Sequence, residues 1–213
     1  MRPLTGRADG RPAISDTLEG PALELSDDPV QPLSNALLDA ERRHGADTEI
    51  VEDRDFGAMT YRHLVRASLA FARHLSKTTE RGEHVGLFLP TSGPAVIAFF
   101  ALQAIGRVAV FFNYGQDADT LQQACKTAGV RRVLSSKRFV KAGELQSLED
   151  ALGDCAEIEH LEDLRGELSI FEKLSGAVGE ALPVFTPEPP EPDAPAVILF
   201  TSGTTGAPKG VAL

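Results

Sequence analysis

The sequence predicts an α/β fold, a mostly parallel sheet flanked by helices, and three observations predict it. Short continuous apolar runs recur at VGLFLP (Val85 to Pro90) and at Val108 to Phe112, as strands buried on both faces require. Segments with apolar residues at helical spacing alternate with those runs. A strand, a helix over Ser92 to Ile105 and a second strand then fit into fewer than thirty residues, which is a βαβ unit with an expected right-handed crossover.

Taken in order, residues 1–30 are rich in Pro, Gly, Asp and Arg without periodicity and read as a flexible tail. From Pro32 to His44, Leu33, Leu37 and Leu38 fall at helical spacing, with Asp39, Glu41 and Arg42 outside it. Thr60 is a candidate N-cap for a stronger helix, whose stripe runs Tyr61, Leu64, Val65, Leu69, Ala72 and Leu75. His63 and His74 lie off that stripe and read as surface residues. After the βαβ unit, Asp117 to Ala128 is helical, with Leu121, Ala124, Cys125 and Ala128 on one face, and Arg132 to Ser135 is a short strand. Residues 141–194 are acidic and less regular; a helix at Leu145 to Leu152 and a strand at Ile158 to Leu161 are the readings there. Five prolines in Thr186 to Pro195 make an extended connector, because proline removes ladder donors and breaks helices. AVILF (Ala196 to Phe200) is a last buried strand.

Bulk properties exclude several functions. A net charge of -10 offers no basic face to nucleic acid or to anionic lipid. Two cysteines, Cys125 and Cys155, make neither a disulfide framework nor a zinc site and read as buried, reduced thiols of a cytoplasmic protein. No apolar leader is evident at the N-terminus. Ala95 to Phe112 has the length of a membrane span. Gln103 and Gly106-Arg107 interrupt it, however, and an arginine in hydrocarbon costs about 2.5 kcal/mol or more. A helix, a glycine turn and a strand explain the same letters.

The chemistry concentrates after the last strand, in Thr201-Ser202-Gly203-Thr204-Thr205-Gly206-Ala207-Pro208-Lys209-Gly210. Gly203, Gly206 and Gly210 permit φ values that turn successive N–H groups toward one anion. Hydroxyls on Thr201, Ser202, Thr204 and Thr205 can donate to phosphate oxygens, and Lys209 supplies a mobile charge. At roughly 1.5–3 kcal/mol per charge-assisted hydrogen bond, three or four such bonds offset the ordering of a short loop. An ordinary surface turn has the same composition but gives no reason for the lysine and hydroxyls behind a buried strand. The spacing is not that of a Walker A loop, since Ala207-Pro208 separates Gly206 from Lys209.

TSGTTGAPKGV resembles the signature loop of the adenylate-forming superfamily of acyl-CoA synthetases, luciferases and peptide-synthetase adenylation domains. MTYRHLVRASLAFARHL, GEHVGLFLPTSGPAVIAFFALQAIGRVAVFFN and AGVRRVLSS are similar to the superfamily's early helix, first βαβ unit and following strand. Thr91 stands where relatives often carry Asn, and Ala109 where near relatives tend to have Pro. FFALQAIGRVAVFFNY and HLEDLRGELSIFEKLSG are similar to the synthetase portion of bacterial acyl-acyl carrier protein synthetase/2-acylglycerophosphoethanolamine acyltransferases.

The resemblance implies a partial N-terminal adenylation domain over 31–213 and a two-step ligase. A carboxylic acid, here a fatty acid, attacks the α-phosphate of ATP-Mg, and a thiol of coenzyme A or acyl carrier protein then takes the acyl group. Thr201, Ser202, Gly203, Thr204, Thr205, Gly206 and Lys209 would hold the β- and γ-phosphates, and GVAL would be a return strand; by pattern alone those four residues equally begin a helix. The family's metal ligand, acyl pocket and catalytic lysine have no counterpart here, so no catalytic residue or metal ligand is assigned. The chain is expected to be the inactive leading part of such a ligase or, alternatively, an inactive remnant or nucleotide-binding interaction module.

Overall fold

The computed structural model describes residues 31–166, 194–201 and 208–213. The expected tail at 1–30, the connector up to residue 193 and the loop residues Ser202, Gly203, Thr204, Thr205 and Gly206 lie outside them.

Helix α1 (Leu33–His44) precedes a two-stranded antiparallel sheet of β1 (Glu49–Asp53) and β2 (Gly57–Thr60). Thr60 ends β2 and caps α2 (Tyr61–Leu75), its hydroxyl accepting from the N–H of His63 at 3.3 Å, as its residue type predicts. The βαβ unit follows as β3 (His84–Phe88), α3 (Gly93–Ala104) and β4 (Val108–Phe111). Gly106 turns the chain between the last two at φ 64°, a conformation glycine adopts without a Cβ penalty. The span-length apolar stretch is therefore helix, turn and strand, and no described helix is long and apolar enough to cross a membrane. Arg107, which interrupts it, is buried at the amino edge of the sheet. Its guanidinium donates to the Thr79 hydroxyl at 3.0 Å and to the carbonyls of Thr79 and Ile105.

Helix α4 (Ala118–Ala128), β5 (Arg132–Ser135), α5 (Lys137–Ala142), α6 (Gln146–Gly153) and β6 (Glu157–His160) come next, then a 3₁₀ turn at Asp163–Gly166. Strands β7 (Val197–Thr201) and β8 (Lys209–Ala212) complete a six-stranded sheet of order β6-β5-β3-β4-β7-β8. Every pairing in it is parallel except the β7–β8 hairpin. The expected mostly parallel sheet is thus present, and GVAL pairs as a return strand rather than starting a helix. Alternation along the strands divides the core. Val85, Leu87 and Ala109 meet α2 and α3 through Leu64, Phe71 and Leu102, while Val108, Val110 and Val133 meet α4 and α6 through Leu121, Cys125 and Leu152.

Several expectations are corrected. Phe71, Ala67 and Ser68 are buried on α2, whereas Tyr61 and Leu69 are only half-buried, so the stripe faces α3 slightly off the expected line. His63 and His74 are half-buried and not the open surface residues expected. Burial holds the His63 imidazole below its usual pKa, and His74 Nε2 lies 3.3 Å from Glu159 Oε1. Cys125 is buried, with desolvation and then the adjoining Cys155 thiol pushing its pKa up, while Cys155 itself is half-buried.

Candidate functional site

In a parallel sheet every strand delivers its following loop to one edge, and ligands of open α/β sheets sit outside those carboxyl ends. The register puts Thr201 at that edge, beyond the ends of β3, β4, β5 and β6. The β7–β8 ladder pairs Ile198 with Ala212, Leu199 with Val211, Phe200 with Gly210 and Thr201 with Lys209. Thr201 and Lys209 are therefore the last paired residues before the loop, and they are its mouth. The Thr201 hydroxyl reaches the Lys209 carbonyl at 3.5 Å. Both side chains are exposed, and the Lys209 ammonium makes no ion pair among the described residues. Pro208, beside it, is buried and fixes the backbone from which the lysine projects.

Gly210 is needed for a reason other than the expected one. It has no positive φ; it lies within β8, where a Cβ would come 3.3 Å from Phe200 Cε1 and 3.4 Å from Ile198 Cγ2. Its missing side chain makes room for the Phe200 ring, which packs into the core beneath β7. The Pro-Lys-Gly sequence thus ends in a packing requirement of the hairpin, not in a left-handed turn.

The other amide-rich positions at this edge are already filled by the chain's own carboxylates. At the start of α3, Asp53 Oδ2 accepts the N–H of Gly93 at 2.6 Å while its other oxygen accepts from Asp55 and Phe56. Burial alone would raise the pKa of that carboxyl, but those three N–H donors and the Arg138 charge hold it below the usual aspartate range. Asp117 caps α4 through the N–H and hydroxyl of Thr120, which lower its pKa. Glu162 covers the start of α5, accepting from Ser136, Lys137 and Arg138; these bonds outweigh a burial effect of opposite sign. A helix N-terminus favours an anion, and these three already hold one. Sequence reasoning missed Asp53 and Glu162 because their partners lie 40 and about 25 residues away. Asp117, expected as the first residue of its helix, is instead the N-cap, three residues before its partner.

Of the seven expected site residues, Thr201 and Lys209 are brought together across one ladder pair, and the other five lie outside the described residues. Neither cavity of note among the described residues adjoins them. A polar one of about 270 Å³, lined by Thr78, Glu83, Arg131 and Glu157 among others, opens at the opposite, amino edge of the sheet. A small one lies between α1, α2 and α3. No three His, Cys, Asp or Glu side chains among the described residues could together hold a metal ion.

Residues 38–213 match the family model described as AMP-binding enzyme. The chain is 30% identical over 184 residues to 4-chlorobenzoate--CoA ligase from an Arthrobacter species, covering 86% of this chain and 30% of that protein. It is 27% identical over 172 residues to acetyl-coenzyme A synthetase 2 of Pseudomonas putida, covering 75% of this chain and 27% of that protein. Among solved structures, VinN in complex with 3-methylaspartate is 29% identical with a TM-score of 0.64, over 84% of this chain and 46% of that one. The chain therefore spans less than a third of the length of these two curated relatives.

Proposed function

The chain belongs to the AMP-binding enzyme family, and from that membership we propose that its β7–β8 hairpin grips the β- and γ-phosphates of ATP during activation of a carboxylic acid. Thr201, Ser202, Gly203, Thr204, Thr205, Gly206 and Lys209 are the residues assigned to the grip. One observation carries the assignment: Lys209 stands exposed across from Thr201 at the carboxyl edge, with no ion pair among the described residues, where the neighbouring helix starts hold internal carboxylates. The donor set suits a polyphosphate, with one ammonium and several hydroxyls around a glycine-rich backbone.

In the reaction, a carboxylate oxygen attacks the α-phosphorus, the bond to the bridging oxygen breaks, and pyrophosphate leaves. Charge grows on the leaving group, so a lysine held there stabilises the transition state more than the ground state. The acyl group then passes to a thiol as AMP departs. Mg²⁺ accompanies the nucleotide, with ligands sought outside the described residues. Within this class we favour a fatty acid, with coenzyme A or an acyl carrier protein as acceptor, on the resemblance carried by Phe99 to Tyr114 and His160 to Gly176. The domain so read runs over 31–213, preceded by a tail at 1–30.

The test is ATP–pyrophosphate exchange by the natural product of the gene, with fatty, short-chain and aromatic acids compared. Lys209→Ala is expected to lower kcat/KM for ATP about 10- to 100-fold, the equivalent of one charge-assisted hydrogen bond. An unchanged rate would remove Lys209 from the phosphate site. Exchange with aromatic acids alone would overturn the fatty-acid assignment and leave the phosphate grip standing.

A further inference from the structure

Two serines with buried hydroxyls line the small cavity between α1, α2 and α3. Ser34, on the first turn of α1, is 6% exposed, and Ser68, in the middle of α2, is 2% exposed. Neither Oγ has a hydrogen-bond partner among the described residues. Both residues line the same cavity, whose remaining wall is apolar, with Leu37, Val65, Leu69 and Phe100 in it. A serine hydroxyl inside a helix usually has a local remedy, a bond to the carbonyl four residues back. Ser68 does not use it. An unpaired buried hydroxyl carries a full desolvation penalty, and here two would carry it at one place.

We propose that Ser34 and Ser68 together hold one internal water molecule that ties α1 to α2. The cavity admits about 10 Å³ of water-centre volume, near the space of a single water and far below that of any larger ligand. Wholly apolar cavities of small proteins stay dry, whereas a site lined by two serines can offer the minimum of two polar partners. Each hydroxyl can donate or accept, so the water can take one bond of either sense from each serine. Its effect falls on α1, whose only fully buried side chain is Ser34 and which otherwise packs through half-buried leucines. The water is thus part of the attachment of α1 to the rest of the domain.

The test is a double-mutant cycle on the whole protein, read by urea unfolding, with Ser34→Ala, Ser68→Ala and the pair. Each single variant leaves one hydroxyl and the water short of a partner. It should raise the unfolding constant about two- to five-fold, even against alanine's better helix propensity. The double variant has a wholly apolar, dry cavity, so its unfolding constant should fall about five-fold short of the product of the singles. Helix propensity cancels in that comparison. Additive effects, or single variants more stable than the parent, would overturn the proposal, because they are the result for hydroxyls that face nothing. A high-resolution crystal structure gives the second reading. Density for one water within hydrogen-bond distance of both Oγ atoms supports the proposal. A dry cavity, a serine turned to its own helix carbonyl, or a side chain from residues 1–30 in that space overturns it.

Discussion

The centre of the six-stranded sheet and its β7–β8 edge are built on different terms. At its centre, Val85, Ala109, Val110, Val133 and Leu134 are wholly buried, with helices on both faces. In the β7–β8 hairpin the face carrying Ile198 and Phe200 enters the core, while on the other Val197 packs against the core under α2 and α3 but Leu199 and Val211 remain 40% and 42% exposed. Position in the sheet separates stability from chemistry. The centre carries the packing energy and no functional group, while the hairpin carries the proposed phosphate grip on a half-covered ladder. Substitutions should sort by that division, breaking the fold at the centre and changing ligand affinity at the hairpin.

The largest effect is expected at Gly86 in β3. A Cβ there would meet Phe112 Cε2, just past the end of β4, at 2.5 Å and Val133 Cγ2, on the neighbouring β5, at 2.9 Å. Gly86→Val should cost about 3 kcal/mol or more through overpacking, and soluble yield and the urea midpoint should fall together. A variant as stable as the parent would show that the centre is looser than its burial implies.

Only part of this division was legible in the sequence. AVILF reads as a buried strand like the central ones but is half-exposed, and no helix covers Leu199 among the described residues. Continuous apolar runs mark the central strands because both faces are buried, and the Ser, Thr and Gly crowding after AVILF marks the loop. The β1–β2 hairpin and α5 were not legible. Glu49 to Asp53 has a half-exposed pattern and no two-residue turn signal, and the six residues of α5 are too few to show a helical period. The cap of α3 by Asp53 escaped for a different cause. It is a tertiary contact between a hairpin turn and a helix start, and nothing in local spacing encodes it.

That cap gives the next largest effect and sharpens the comparison, since it closes one of the competing anion positions at the carboxyl edge. Asp53→Asn keeps the shape but loses the charge and one acceptor, and should destabilise by about 1–1.5 kcal/mol at neutral pH. The sign with pH follows from the lowered pKa of Asp53 in the folded chain. Its contribution is present above the ordinary aspartate pKa and is lost as pH falls through the folded value. The parent should therefore lose stability on acidification more steeply than Asp53→Asn, as thermal midpoints measured between neutral and strongly acid pH would show. Parallel profiles would mean that the carboxylate of Asp53 is not specifically held.

Gly210 carries the comparison to the hairpin with the same residue type. Its added Cβ would press on Phe200 at 3.3 Å, a contact that a shift of a few tenths of an ångström relieves, so Gly210→Val should cost only about 1 kcal/mol. The shift moves β8 where it leads into Lys209, and KM for ATP should rise more than the stability loss explains. Equal and large stability losses at Gly86 and Gly210 would erase the distinction between centre and hairpin.

The smallest effect is the most direct probe of that distinction. Leu199 sits in the middle of β7, where a central strand would bury it, and yet it is 40% exposed beside Val211. If this face meets solvent in the protein at work, Leu199→Thr exchanges one β-compatible side chain for another and should change stability by no more than about 0.5 kcal/mol. A leucine removed from a fully covered position costs about 2 kcal/mol or more, so the urea midpoint separates the two cases cleanly. A large loss would mean that another part of the natural gene product packs over Leu199 and Val211. The hairpin would then be a buried ladder like the centre, and the phosphate grip at its tip would be held by packing on both faces.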